Sequence, residues 1–425
     1  MTPRPLAGRR IGIVIGSLEA GGAQRMALAL ALALQRAGAA AHLICLDRDR
    51  EMPLPGDAAE QAALATRLHV LGRGSAGDGA LRKLAAIPVL HWRLERLIAA
   101  QRLELVISFM ERANLLSLLA SRGNRARAPR VISIRKHPDA ALAGKAPLKR
   151  WLIRRGYPLL LRRAAEIDFN ATASRDSFRR LFDTGTVPLS VIYNSVVPPD
   201  DPPPPEPKGW PQDGHVIMGA GRLLHAKGFV PLLRAVAALG KTHPDLRLIL
   251  LGDGPDRHSL ENLAESLGLA DRVSLPGFRR DPVAWMARAD IFALPSRAEG
   301  FPNALLEAMR VGRPVIVADC PSGPREILAP DTSPTRVAQA LEDAPFGLLT
   351  PPMPARDLPA EAALDPAEAA LRDGLARLLE DTALRDRLAG AARRRAADFH
   401  PDAIARQWIA LALRHLSGPC PEDAA

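Results

Sequence analysis

The chain has 425 residues, of which 47% are hydrophobic, 24% charged and 4% aromatic. That length exceeds one compact core and predicts two domains of about 200 residues each. The composition excludes a disordered chain, and so few aromatics argue against a surface that stacks single-stranded bases. The net charge of +11 is uneven: residues 1–197 carry 31 Lys and Arg against 15 Asp and Glu (+16), and the remainder 26 against 31 (−5). A charged partner is therefore met by one domain. Without a helix-turn-helix, zinc-finger or RNA-recognition pattern, the basic half reads as facing an anionic membrane rather than nucleic acid.

Cys45, Cys320 and Cys420 are far apart and form no C-x-x-C pair, which suits a reducing compartment. The longest unbroken apolar run is residues 26–34, too short to span a bilayer. The run after Arg9 and Arg10 is too short for a signal peptide. The expectation is a soluble cytoplasmic protein, at most peripheral on the inner face of the membrane.

In chain order, short apolar runs alternate with amphipathic helical patterns. Strands are predicted at residues 11–15, 42–46, 105–109 and 131–134, with helices at 23–37 and from about 114. Residues 198–211 hold 8 prolines in 14 positions, an extended stretch that reads as a linker. Beyond it come strands at 216–220, 246–251, 273–275, 291–294 and 315–318, with helices at 229–239, 257–267 and 303–310. This alternation implies an α/β protein with one helix-covered parallel sheet per domain, and ligands beyond the carboxyl ends of the strands.

Three clusters occupy such positions. Glu299-Gly300-Phe301-Pro302-Asn303 through Glu307 follows the strand 291–294. Pro302 suits a first helical turn, and the turn's free N–H groups attract an anion. On spacing alone, Asn303, Glu307 and Arg310 read rather as the solvated stripe of a surface helix. Gly219-Ala-Gly221-Arg222 through Lys227-Gly follows the strand 216–220, and two cations in a Gly-rich turn suit a diphosphate. Gly16 through Gly21-Gly22-Ala-Gln-Arg25 opens the first helix, where paired glycines admit a ligand close to the backbone.

Together with Leu251-Gly-Asp-Gly-Pro255, Val273-Ser-Leu-Pro-Gly-Phe278, Pro295-Ser296, Gly323-Pro-Arg-Glu326 and the closing Phe399-His-Pro segment, these clusters stand in an order that resembles the retaining GT-B glycosyltransferases of family 4. The resemblance runs over nearly the whole chain and is densest from 216 to 328. It implies two Rossmann-like domains facing across a cleft: 1–197 on the acceptor side, a linker at 198–214, and 215–398 holding a nucleotide sugar. A helix and tail at 399–425 would cross back to the first domain.

The same resemblance implies roles. Arg222 and Lys227 would neutralise the donor diphosphate, Glu299 would orient the transferred sugar, and Glu307 would accept the ribose hydroxyls. Gly21, Gly22 and Gly221 would leave room for the donor beside Gly300, Phe301, Pro302 and Asn303. Phe278 and Arg279 lie where the family's base-binding loop falls. In the basic half, His137 is where members place a His facing the reacting sugar, although a loop His is also an ordinary surface residue. Glu111, Arg112 and Asn114 follow the strand 105–109 and are acceptor-side candidates. Asp47-Arg-Asp49 follows an apolar run and matches a metal–diphosphate signature of a different glycosyltransferase fold. Its flanking Arg48 and Arg50 and the two-domain pattern favour a structural role, so no metal or other cofactor is expected.

Residues 141–163 interleave Lys145, Lys149, Arg150, Arg154 and Arg155 with Trp151, Leu152 and Ile153, and Pro158 divides them into two short amphipathic pieces. Such pieces suit an anionic bilayer surface, or equally a basic helix packed on the sheet. The combined expectation is retaining transfer of a hexose or N-acetylhexosamine from a UDP-linked nucleotide donor to a saccharide acceptor carried on a lipid. Alternatives are a nucleotide-sugar 2-epimerase of the same fold and a non-catalytic scaffold of a glycan-assembly complex.

Overall fold

The computed structural model describes residues 4–416 apart from 20, 76, 121–127, 144, 198–206 and 208. The chain forms two compact units, Met1–Ser195 with Pro401–Ala425, and Val196–His400.

The first unit holds strands β1 (Arg10–Ile15), β2 (Ala40–Cys45), β3 (Leu68–Val70), β4 (Leu105–Phe109), β5 (Arg130–Ile134), β6 (Glu166–Phe169) and β7 (Leu189–Val191). They form one sheet in the order β3-β2-β1-β4-β5-β6-β7, with every pair parallel. The second holds β8 (Val216–Ala220), β9 (Arg247–Leu251), β10 (Val273–Gly277), β11 (Ile291–Leu294), β12 (Val315–Ala318), β13 (Glu342–Ala344) and β14 (Gly347–Thr350). Its order is β10-β9-β8-β11-β12-β14-β13, parallel except for the β13–β14 pair. Strands β4, β8, β11 and β12 are buried at every position, which requires helices on both faces and explains their apolar runs, interrupted only by Ser108 in β4. This is the expected pair of Rossmann-like units.

In each sheet the order reverses once, between β1 and β4 and between β8 and β11. At such a point the flanking crossovers lie on opposite faces and leave a crevice at the strands' carboxyl ends.

The C-terminal helix Pro401–His415 packs on the helix Gly22–Arg36 of the first unit. Trp408 is 1% exposed, its ring 5.8 Å from that of Phe109. Arg414 and His415 both reach Glu166 of β6 at 2.7 Å. The return begins at Pro401 rather than 399. Phe399 belongs to the second unit because its ring packs on Phe301 and its carbonyl accepts the Val196 N–H.

Two further readings need correction. The linker expected at 198–214 falls largely outside the described residues, but its end is packed, with the Trp210 ring 6.0 Å from Trp285. Pro158 does not divide the basic segment. It lies in the last turn of a single helix, Pro147–Leu161, where its missing N–H is a local defect rather than a break. The division comes earlier, between the helices Pro138–Ala143 and Pro147–Leu161.

Candidate functional site

In the second unit the loops after β8 and β11 meet at the reversal point. The Lys227 ammonium donates to Glu299 Oε1 at 2.6 Å, and the Ser296 hydroxyl donates to the same oxygen at 2.7 Å. The Glu299 side chain is 9% exposed and that of Lys227 24%, so the pair is partly withdrawn from water and screened less than a surface pair. The loops are also joined through backbone, since Arg297 N–H donates to the Ala226 carbonyl at 2.8 Å. Gly228 has φ +66, and a Cβ there would overlap the Pro295 carbonyl oxygen. Only glycine lets the two loops approach so closely. Gly221 continues the β8 ladder by donating to the Leu251 carbonyl at 2.9 Å. Arg222 beside it is exposed and has no ion-pair partner among the described residues.

The Glu299–Pro302 loop is pinned by Ser322, whose hydroxyl donates to the Gly300 carbonyl at 2.8 Å. Phe301 is 4% exposed, so it anchors the loop instead of presenting a ring. Pro302 is the N-cap of the helix Asn303–Arg310, with no side-chain cap, which leaves that end to meet a partner through backbone N–H groups. Asn303, Glu307 and Arg310 share one face and are half-buried, so the freely solvated stripe that spacing allowed is not what forms. Phe278 follows β10 directly and is 51% exposed. The Arg279 guanidinium lies over the Trp285 ring, 5.7 Å from its centroid. Ser296 carries no expected site role from the sequence; its place two residues beyond β11 and three before Glu299 is the available signal.

In the first unit, Gly21 caps the helix Gly22–Arg36 in extended conformation, with no side-chain cap, and Gly22 is exposed. This helix end lies beyond β1, beside the reversal point. Glu111 opens the helix Glu111–Ala120 after β4 and is exposed. Asn114 is 1% exposed, and its amide donates to the Ser133 carbonyl at 2.9 Å. It ties that helix to β5 and lines the cavity beside the helix Pro147–Leu161. His137 is 6% exposed, not a surface loop residue. Burial lowers its pKa, and its Nδ1 has no hydrogen-bond partner. Between them stands a buried network: Arg135 donates to Asp168 at 2.8 Å, Ser133 donates to the same oxygen at 2.7 Å, and burial pushes Asp168 up to about 7.

The Asp47-x-Asp49 pair is drawn into structure. Arg112 donates to Asp47 at 2.7 Å, and the Asp49 carbonyl accepts the Leu18 N–H at 3.0 Å. Among the described residues no group of three His, Cys, Asp or Glu side chains is placed to hold a metal ion. No described helix is long and apolar enough to cross a membrane.

Residues 21–195 match the Glycosyl transferase 4-like domain family, and residues 202–343 match Glycosyl transferases group 1. The chain is 33% identical over 201 residues to an uncharacterized glycosyltransferase of Methanocaldococcus jannaschii, covering 46% of this chain and 49% of that one. The match thus spans about half the length of that relative. It is 26% identical over 418 residues, 96% of this chain and 100% of the other, to the N-acetylgalactosamine-N,N'-diacetylbacillosaminyl-diphospho-undecaprenol 4-alpha-N-acetylgalactosaminyltransferase of Campylobacter jejuni. The crystal structure of Anabaena Alr3699/HepE in complex with UDP and glucose shares the fold, with a TM-score of 0.69 and 23% identity over 96% of this chain and 100% of that one. The chain belongs to the glycosyltransferases, with a 4-like domain in its first unit and a group 1 domain in its second, on a GT-B fold.

Proposed function

We propose that this protein transfers a hexose or N-acetylhexosamine from a UDP-linked donor, with retention of configuration, to a saccharide carried on a lipid diphosphate in cell-envelope glycan synthesis. The observation that carries the reading is the convergence of Lys227, Ser296 and Glu299 at the β8–β11 reversal point, beside the unpaired Arg222. Arg222 and Lys227 meet the donor diphosphate, and their charge offsets the negative charge that builds on the departing oxygen as the glycosidic bond breaks. Once Lys227 turns to phosphate, Glu299 is free to accept the hydroxyls of the transferred sugar. Glu307, one turn inside the helix that opens after Pro302, accepts the ribose hydroxyls, and Phe278 and Arg279 flank the base.

UDP is supported by the nucleotide held in the Anabaena structure, and the lipid-linked acceptor by the undecaprenol diphosphate named in the Campylobacter relative. The basic, Trp-bearing helix Pro147–Leu161 supports work at an anionic membrane surface. Two side-chain cations take the place of a metal ion in this scheme, so turnover is expected to survive EDTA. The test is a panel of UDP-sugars incubated with and without an extract of lipid-linked saccharides. Sugar transfer that requires the acceptor and retains the anomeric configuration supports the reading. An epimerised nucleotide sugar formed from donor alone overturns it in favour of the isomerase.

A further inference from the structure

A cavity of about 560 Å³ lies wholly in the first unit, between the carboxyl ends of β4 and β5 and the helix Pro147–Leu161. Its walls are apolar, formed by Leu115, Ile134, Leu142, Ile153, Leu160 and Phe178. Arg135, held by Asp168, and three lysines, Lys136, Lys145 and Lys149, stand among the lining residues with Glu111 the one acid. None of these three lysines has an ion-pair partner among the described residues. An apolar pocket ringed by unpaired cations is complementary to an amphiphile with a hydrocarbon body and an anionic end.

The helix that walls the pocket has two different faces. Lys149, Ile153, Gly156, Tyr157 and Leu160 recur at helical spacing and line the cavity. Leu148, Trp151 and Leu159 lie on the outer side, 69%, 54% and 65% exposed. The pocket face contains a glycine in mid-helix, where glycine is less favourable than alanine. No positive φ requires it, and a Cβ there would meet no atom within 4 Å. Neither backbone conformation nor close packing explains this glycine; what its missing side chain does is leave the cavity open.

We infer that this cavity is the binding site for the isoprenoid chain of a phosphorylated lipid, with its phosphate end at Lys136, Lys145 and Lys149 and Gly156 keeping the pocket clear. The inference rests on the lipid-linked acceptor proposed above and extends it from contact with a bilayer to capture of one chain. Acceptor lipid is then drawn from the membrane along the helix, and its phosphate is fixed next to Glu111 and the β4–β5 strand ends.

The experiment titrates the full chain with farnesyl phosphate, farnesol and inorganic phosphate, reading Trp fluorescence and thermal shift. UDP binding is measured on the same samples. Farnesyl phosphate is expected to bind saturably and about tenfold or more tighter than farnesol or inorganic phosphate. Gly156→Phe, which fills the cavity, is expected to weaken farnesyl phosphate by about tenfold or more, while Gly156→Ala leaves it close to wild type. A cooperative thermal transition of Gly156→Phe at the wild-type midpoint shows that the first unit is folded, and unchanged UDP binding shows the same for the second. Equal affinity of wild type and Gly156→Phe for farnesyl phosphate overturns the inference, as does inorganic phosphate binding as tightly as farnesyl phosphate. Lipid binding without any UDP binding by the wild type sustains the pocket and overturns the transferase reading instead.

Discussion

The Lys227 ammonium and the Glu299 carboxylate lie 2.6 Å apart, bridging the loops that follow two adjacent strands, β8 and β11. Each group neutralises the other, so a mobile cation is stored beside the place where a diphosphate is expected. Lys227→Ala and Glu299→Ala are each expected to lower kcat by about 10²- to 10³-fold, the cost of losing one preorganised electrostatic contact in a transition state. Steady-state turnover with saturating donor checks this. A purely structural pair would instead lower thermal stability and leave kcat near wild type.

Gly228 and Gly156 make opposite predictions for the same substitution. At Gly228, φ is +66 and a Cβ would overlap the Pro295 carbonyl, so Gly228→Ala is expected to cost about 2–4 kcal/mol and to separate Lys227 from Glu299. At Gly156 the helix continues and the space is open, so Gly156→Ala is expected to stabilise by about 0.5–1 kcal/mol. Urea denaturation of both variants measures the signs directly.

The anchorage of the C-terminal helix should depend on pH. Burial opposes the charged form of Glu166, yet hydrogen bonds from His415 and Arg414 outweigh it and bring its pKa down to about 2. A carboxylate stabilised in the folded state contributes above its unfolded pKa and loses that contribution as pH falls. The stabilisation is therefore full above about pH 5 and fades as pH falls toward 2. It is expected to be about 2 kcal/mol, reduced from the ideal value because Arg414 is half exposed. Hydrogen-exchange protection along Pro401–His415, taken relative to the intrinsic amide rate at each pH, should fall on acidification, and Glu166→Gln should show the lower protection already at neutral pH.

The interior strands were legible because they are buried on both faces and made of apolar residues alone. The segments Val216–Ala220, Ile291–Leu294 and Val315–Ala318 form as their patterns predict. The strand Glu166–Phe169 was not legible, because Glu166 and Asp168 are acids in a fully buried strand. Their partners are Arg414 and His415, far along the chain, and Arg135, just past the end of the neighbouring strand β5. No local pattern announces such long-range satisfaction. Strands β3, β7 and β13 have three residues each, too few for a period to show.

The candidate site divides similarly. Arg222, Lys227 and Glu299 were legible as strand-end residues, and the sheet order then brings their loops together. The burial of Asn114 and His137 was hidden, because it depends on how the Glu111–Ala120 and Pro138–Ala143 helices settle against β5. The cavity behind Pro147–Leu161 was hidden as well. The sequence shows a basic, Trp-bearing helix, but only packing reveals that Gly156 faces open space.

The second unit is expected to hold a uridine diphosphate through Arg222 and Lys227, and calorimetric titration of UDP checks this. Wild type is expected to bind saturably, and the Arg222→Ala/Lys227→Ala double variant about 100-fold more weakly, the loss of two charge-assisted contacts. Equal affinity in the two proteins, or no binding by wild type, would contradict the account.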